Sequence, residues 1–258
     1  MTGSPLKSRI QDALAGAQAL PEPASISSIP FRFGVPELDS LTGGIPRGAI
    51  TEVLGPPGSG RAALMLSALA HATASRELCA LVDTDMLDVA SAAGTGVELD
   101  RLLWVRCPEI VDDALKATEM LLRSGCFGLV ALDLTGISVK QANHISSACW
   151  IRFRRAIQNG RTGLLVMEAY PCARAAAALA LKLSPEQAIW EDSSENPGSL
   201  ESLGSRKKPA TNSSNKGPAC SNLLRAIRLT AERTKPYLYE SPSGKAVTST
   251  EFTISIPH

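Results

Sequence analysis

The chain has 258 residues, 44% of them hydrophobic, enough to bury one sizeable core with small appendages. Its 26 basic and 25 acidic residues leave a net charge of +1, so bulk charge singles out neither nucleic acid nor an anionic membrane. Six dispersed cysteines without a C-x-x-C pair argue against a disulfide framework or a zinc site.

Residues 6–20 place Leu6, Ile10, Ala13, Leu14 and Ala17 at helical spacing, predicting a short amphipathic helix. PEPASISSIP, residues 21–30, reads as an extended linker, so residues 1–30 form an appendage of helix and linker. Such a helix can dock on its own domain or on a neighbouring molecule; its own domain is the default. Residues 31–48 then lead, through the pair Leu38-Asp39 and the run TGGIPRG, into an apolar stretch at residues 49–54. That stretch has the length and β-branched content of a buried strand.

Next come Gly55-Pro56-Pro57-Gly58-Ser59-Gly60 and an alanine- and leucine-rich helix starting near Arg61. A strand, a glycine turn and a helix N-terminus in succession make a phosphate cradle, because backbone N–H groups converge where the helix end is partially positive. Gly55 and Gly60 have the spacing of the pattern G-x-x-x-x-G-K-[ST], but Arg61 stands at the lysine and Ala62 at the Mg²⁺-binding hydroxyl. Arginine keeps the charge as a planar fork, and alanine offers a metal nothing. Residues 55–62 are therefore candidate nucleotide contacts in a cradle whose catalytic fittings are damaged. A glycine turn without function is the alternative.

ELCALVDTD, residues 77–85, reads as a buried strand ending in Asp83 and Asp85. GVELDRLLWVRC, residues 96–107, leads into another strand, and residues 110–122 form an amphipathic helix with Ala114, Leu115, Thr118 and Leu121 or Leu122 on one side. GLVALDL, residues 128–134, is an apolar strand carrying Asp133 near its end. Residues 138–159 predict one continuous helix, with Ala142, Ile145, Cys149, Phe153 and Ala156 inward and Gly160 as its stop. Its outer side carries Arg152, Arg154 and Arg155 beside Trp150, a combination suited to phosphate contact and base stacking. A solvated helix face beside a half-buried tryptophan is the alternative.

TGLLVME, residues 162–168, is a further strand, and the alanine-rich PCARAAAALALKL that follows predicts a helix. Residues 187–190 are a candidate strand. Residues 191–222, rich in serine, glycine, asparagine and proline, read as a disordered insertion with a basic knot at Arg206-Lys207-Lys208. Residues 223–235 alternate apolar and basic residues, and a turn at Ser243-Gly244 precedes a final strand at residues 251–256. His71 and His144 lie in helical runs and His258 is terminal, so no histidine cluster offers a metal site. With no apolar run of spanning length and no leader, a reduced, cytoplasmic protein without membrane contact is expected.

In this order, Leu38-Asp39, TGGIPRG, the glycine turn, GVELDRLL and the strand ending at Asp133 resemble the ATPase core of the RecA recombinases. The resemblance implies a doubly wound, mostly parallel α/β sheet over residues 31–258, flanked by helices and closed by late antiparallel strands. It implies that Asp85 matches a carboxylate that orients the attacking water, one methylene shorter than the family's glutamate. It also implies that Asp133 matches the aspartate that holds Mg²⁺, with ATP in the loop.

The strand at 162–168 lacks the glutamine with which that family senses the γ-phosphate, and the DNA loop after it is short or missing. Together with Arg61 and Ala62, these departures make the chain most similar to the ImuA group, degenerate RecA relatives that assist error-prone DNA polymerases. The resemblance implies a DNA-repair accessory in the damage (SOS) response. Its implied partners are such a polymerase or its accessory subunits, single-stranded DNA, and RecA or a second copy of the chain. ATP is then a weakly held or unhydrolysed ligand. An ATP-dependent recombinase acting on single-stranded DNA, with Asp85 and Asp133 catalytic, is the alternative.

Overall fold

The computed structural model describes residues 5–18, 29–85, 87–108, 110–190, 224–235 and 248–255. The linker at 21–28, the insertion at 191–222 and the turn at Ser243-Gly244 lie outside the described residues. No helix among the described residues is long and apolar enough to cross a membrane.

The eight strands form one sheet in the order β3-β2-β4-β5-β1-β6-β7-β8. They are β1 (Ile50–Leu54), β2 (Cys79–Asp83), β3 (Leu102–Arg106), β4 (Leu129–Leu134), β5 (Gly163–Glu168), β6 (Leu179–Trp190), β7 (Leu224–Lys235) and β8 (Ser249–Ser255). Every pairing from β3 across to β6 is parallel, and β7 and β8 are antiparallel additions at one side. This is the RecA-type arrangement that the resemblance implies.

The apolar continuity of β1, β2, β4 and β5 follows from burial on both sides of a parallel sheet. Along β4, Leu129 and Ala131 join one core while Val130, Leu132 and Leu134 join the other. The first core is closed by α2 (Pro36–Thr42) and α3 (Arg61–Ala74), through Leu38, Leu41, Leu64, Met65, Leu66 and Leu69. The second is closed by α5 (Val111–Ser124) and α7 (Ser147–Ile157), through Ala114, Leu121, Cys149, Phe153 and Ile157. A short helix, α4 (Val89–Gly94), follows β2. The N-terminal helix, α1 (Pro5–Gln18), seats Ile10 in the second core against α5, so it docks on its own domain.

The approach to β1 explains the Leu38-Asp39 pair and the TGGIPRG run. Leu38 is fully buried, while the Asp39 carboxylate accepts from Phe33 N at 2.7 Å and Gly34 N at 3.3 Å, folding the lead-in over α2. Gly43, in the left-handed region at φ 77°, ends that helix. Arg47 then fastens three segments: it pairs with Glu77 at 2.7 Å, donates to Ile29 O at 2.8 Å and Arg161 O at 3.3 Å, and lies over the Phe31 ring.

Two sequence expectations are corrected by the fold. The alanine-rich stretch after β5 is not a helix: it makes a 3-10 turn at Arg174–Ala176 and enters β6. Its segment LALKL alternates, with Leu179, Leu181 and Leu183 in the first core, and it completes the parallel pairing of β1. Strand pairing at an otherwise open edge overrides alanine's helical preference.

The helix expected at 138–159 is two, α6 (Val139–His144) and α7. Ile145 is extended, and Ser146 accepts from Ala148 N at 3.2 Å as a fresh N-cap, while Ser138 and Gln141 form a capping box for α6.

Arg47→Ala removes a largely buried ion pair, two carbonyl contacts and the Phe31 stack at one stroke. It should lower unfolding free energy by about 2–3 kcal/mol. Urea denaturation measures this, and an unchanged midpoint would show that the clamp is dispensable.

Candidate nucleotide-binding site

Because β1, β2, β4 and β5 run in parallel, their C-terminal ends meet along one edge of the sheet, where open α/β sheets bind ligands. β1 opens there into Gly55–Gly60. Gly58 and Gly60 adopt φ of 77° and 71°, which a side chain would resist, and Gly60 caps α3. A Cβ at Gly55 would collide with Ser59 Oγ, so the loop closes tightly over β1. The first N–H groups of α3 have no partner within the helix and face the loop's concavity. A cleft of about 600 Å³ lies over them, lined by Pro57 to Ala63 together with Leu66, Asp85, Leu87, Thr135 and Ile227.

Arg61 is the first residue of α3 and only 6% exposed. Burial lowers its pKa, and the opposite charges of Asp133 and Asp85 pull it back up. Its Nη1 is buried and has no hydrogen-bond partner among the described residues, and Ser59 Oγ is in the same condition.

The three aspartates of the sequence analysis separate by role. Asp83 is buried and fully engaged: it accepts from Asp85 N and Leu87 N at 2.8 Å and from Trp104 Nε1 at 3.3 Å, shaping the turn after β2. Asp85 is exposed on the cleft wall and accepts from Thr135 Oγ1 at 3.4 Å. Asp133 is buried, accepts from Thr135 N at 2.9 Å, and is raised to about 6, chiefly by burial. Thr135 thus ties Asp85 to Asp133. Nothing in its sequence context marked it, because the contact depends on β2 and β4 being neighbours.

A divalent cation fits this donor set poorly. Mg²⁺ asks for near-octahedral oxygen ligands. Ala62 supplies none, Asp133 is buried with its Oδ1 accepting from Thr135 N, and the buried Arg61 guanidinium already supplies positive charge that both carboxylates feel. Among the described residues no group of three metal-ligating side chains comes together.

A buried acidic pair also sits at this sheet edge. Glu52 in β1 and Glu168 at the end of β5 are both buried, and both turn toward the start of the β5–β6 connection. Glu52 Oε1 accepts from Cys172 N at 3.1 Å, Ala173 N at 3.0 Å and Arg174 N at 3.4 Å; Glu168 Oε2 accepts from Cys172 N at 2.7 Å. Burial, then a hydrogen bond and charge repulsion from Glu52, hold the Glu168 carboxyl protonated far above the usual carboxylate range. The connection that follows β5 is thereby strapped to two strand ends. A glutamate within an otherwise apolar strand was the visible sign of Glu52.

The basic side of α7 is only partly available. Arg152 is held by Glu119 of α5 at 3.2 Å, while Arg154 and Arg155 are exposed. Trp150 is 2% exposed and meets the Phe153 ring edge-on at 5.6 Å, so its ring is core and presents no face for a base to stack on. Arg154 instead borders a cavity of about 380 Å³ between α7 and the β5–β6 connection, with Arg174, Asn143 and Pro171.

Residues 26–145 match the family model of the RecA N-terminal domain. That span, which holds the loop, Asp85, Asp133 and Thr135, is similar to the RecA N-terminal domain. Its sequence is similar to "Protein RecA" of Desulfovibrio desulfuricans, 41% identical over 101 residues, which is 39% of this chain and 28% of the relative. It is also similar to "Protein RecA" of Clavibacter michiganensis, 36% identical over 122 residues, covering 47% and 33%. With "Protein RecA" of Nautilia profundicola it shares 41% over 110 residues, covering 42% and 31%. The chain thus matches about a third of the length of these relatives. β5 to β8, the Glu52–Glu168 strap's second half and the α7 face lie beyond the family match.

The strap gives a prediction with a definite sign. The folded state keeps the Glu168 proton where the unfolded chain, with its ordinary value of 4.5, has released it. Stability is therefore greatest below that value and declines as pH rises toward the raised one. Glu168→Gln mimics the protonated acid and should flatten the decline between about pH 5 and about pH 9, by at most about 1.4 kcal/mol per pH unit. Urea titrations of both proteins across that range test it; equal slopes would show that the proton is not held.

Proposed function

We propose that this protein is a RecA-like DNA-repair accessory whose phosphate loop holds a nucleotide without turning it over at a useful rate. It would serve error-prone translesion synthesis in the DNA-damage response, in the cytoplasm, by contacts with an error-prone polymerase or its accessory subunits and with single-stranded DNA. The observation that carries this reading is the pair Arg61 and Ala62 at the head of α3, with Arg61 buried at the lining of the cleft. Phosphoryl transfer depends on positioned charge more than on covalent chemistry. Losing both the compact ammonium and the hydroxyl removes several kcal/mol of transition-state stabilisation, and each 1.4 kcal/mol is about tenfold in rate.

The RecA-like span supports the class of the proposal, and the polymerase partnership rests on the resemblance to the ImuA group. Single-stranded DNA would meet the exposed Arg154 and Arg155 through its phosphates, without Trp150. Self-association, or association with a RecA protein, is part of the same proposal.

A second reading, an ATP-dependent recombinase, draws on Asp85 and Asp133 being joined through Thr135 on the cleft wall. The two readings differ in what one substitution does. Under the accessory reading, ATP turnover with single-stranded DNA stays at background, and Asp85→Asn leaves damage-induced mutagenesis intact. DNA-stimulated turnover that vanishes in Asp85→Asn would instead establish the recombinase.

Arg154→Glu with Arg155→Glu should weaken single-stranded DNA binding and reduce the slope of log affinity against log salt by about 1.4, two phosphate contacts at about 0.7 each. Fluorescence anisotropy over a salt series measures it. An unchanged slope would move the DNA contact off α7.

A further inference from the structure

Mg²⁺ usually accompanies a nucleoside polyphosphate because the clustered oxygens need a cation and a phosphate loop supplies a hydroxyl to hold it. Here the hydroxyl position is Ala62, and the buried charge at the loop is the Arg61 guanidinium. Arg61 is buried at the first turn of α3, borders the cleft, and is drawn by both Asp133 and Asp85. Its Nη1 and the neighbouring Ser59 Oγ are buried polar atoms without a partner among the described residues. Such atoms are costly to leave unmatched, and a phosphate oxygen in the cleft would satisfy them.

We propose that the loop binds its nucleoside di- or triphosphate free of divalent metal, with the Arg61 guanidinium neutralising the phosphates in place of the cation, in the cleft whose wall carries Asp85 and Thr135. A guanidinium suits this role better than an ammonium. Its planar fork can give two parallel N–H bonds to a phosphate while its remaining N–H groups face a carboxylate. A divalent ion entering the same space would sit against that buried positive charge and find no oxygen on Ala62. This inference rests on the reading of the loop as a nucleotide site and narrows its ligand to the metal-free form.

The test is equilibrium binding of N-methylanthraniloyl-labelled ADP and ATP to the full chain, once in excess Mg²⁺ and once in EDTA. The affinity in EDTA should match that in Mg²⁺ within about threefold or exceed it. Arg61→Lys combined with Ala62→Thr, which restores the ordinary pattern, should bind at least about tenfold more tightly with Mg²⁺ than without it. Circular dichroism of the double variant confirms that its fold is retained. Binding by the unaltered chain that weakens about tenfold or more in EDTA overturns the metal-free proposal and leaves the nucleotide site standing. No binding under either condition overturns both.

Discussion

The central position of β1 is the constraint on which the rest of the structure depends. It lies between β5 and β6 and pairs in parallel with both, so its backbone hydrogen bonds are committed on either side and its direction is fixed. The loop it opens into must then emerge at the middle of the sheet's C-terminal edge. The ends of β4 and β5 emerge beside it, and Asp133 and Glu168 come to the same edge by this geometry alone. The antiparallel strands β7 and β8 lengthen the sheet away from the site, with Ile227 reaching back to the cleft wall.

The buried ionisable groups at this edge are handled in different ways. Asp83 is matched by three N–H donors and serves the turn after β2. Glu168 is neutralised by keeping its proton, because Glu52 beside it makes a second buried negative charge prohibitive. Arg61 stays charged against Asp133 and Asp85 with part of its hydrogen-bonding capacity unspent. Glu168 Oε1 also lacks a partner among the described residues, but Arg61 and Ser59 carry their unmatched atoms at the lining of the cleft, which is why the site reads as a place for phosphate.

The same edge also sets how the chain leaves β5. In place of a long excursion, the connection is tied at Cys172, Ala173 and Arg174 to Glu52 and Glu168, and it passes directly into β6. The connection so held supplies Arg174 to the rim of the second cavity, opposite Arg154 of α7.

How much of this was legible in advance follows from the distance over which each feature is encoded. Contiguous features were readable: the strand, turn and helix around residues 49–62 lie in unbroken order, and the substitutions at Arg61 and Ala62 are visible by position. The parallel core was readable from runs such as LVALDL, since burial on both faces demands continuous apolar residues.

Features that need a spatial neighbour were not. The alanines after Pro171 favour a helix locally, and only the open edge of β1 turns LALKL into β6. Trp150 sits on a helix with three arginines, yet Phe153 and the second core claim its ring. Thr135 joins Asp85 to Asp133, and Glu52 meets Glu168, only because the sheet order sets those strands side by side or at the same edge. The amino-acid sequence by itself determined the fold class and the residues of the loop, because local pattern and burial suffice for those. Which charged groups face one another, and so what the loop can bind, was decided by the tertiary structure, because electrostatic pairing depends on distances in space that sequence separation does not contain.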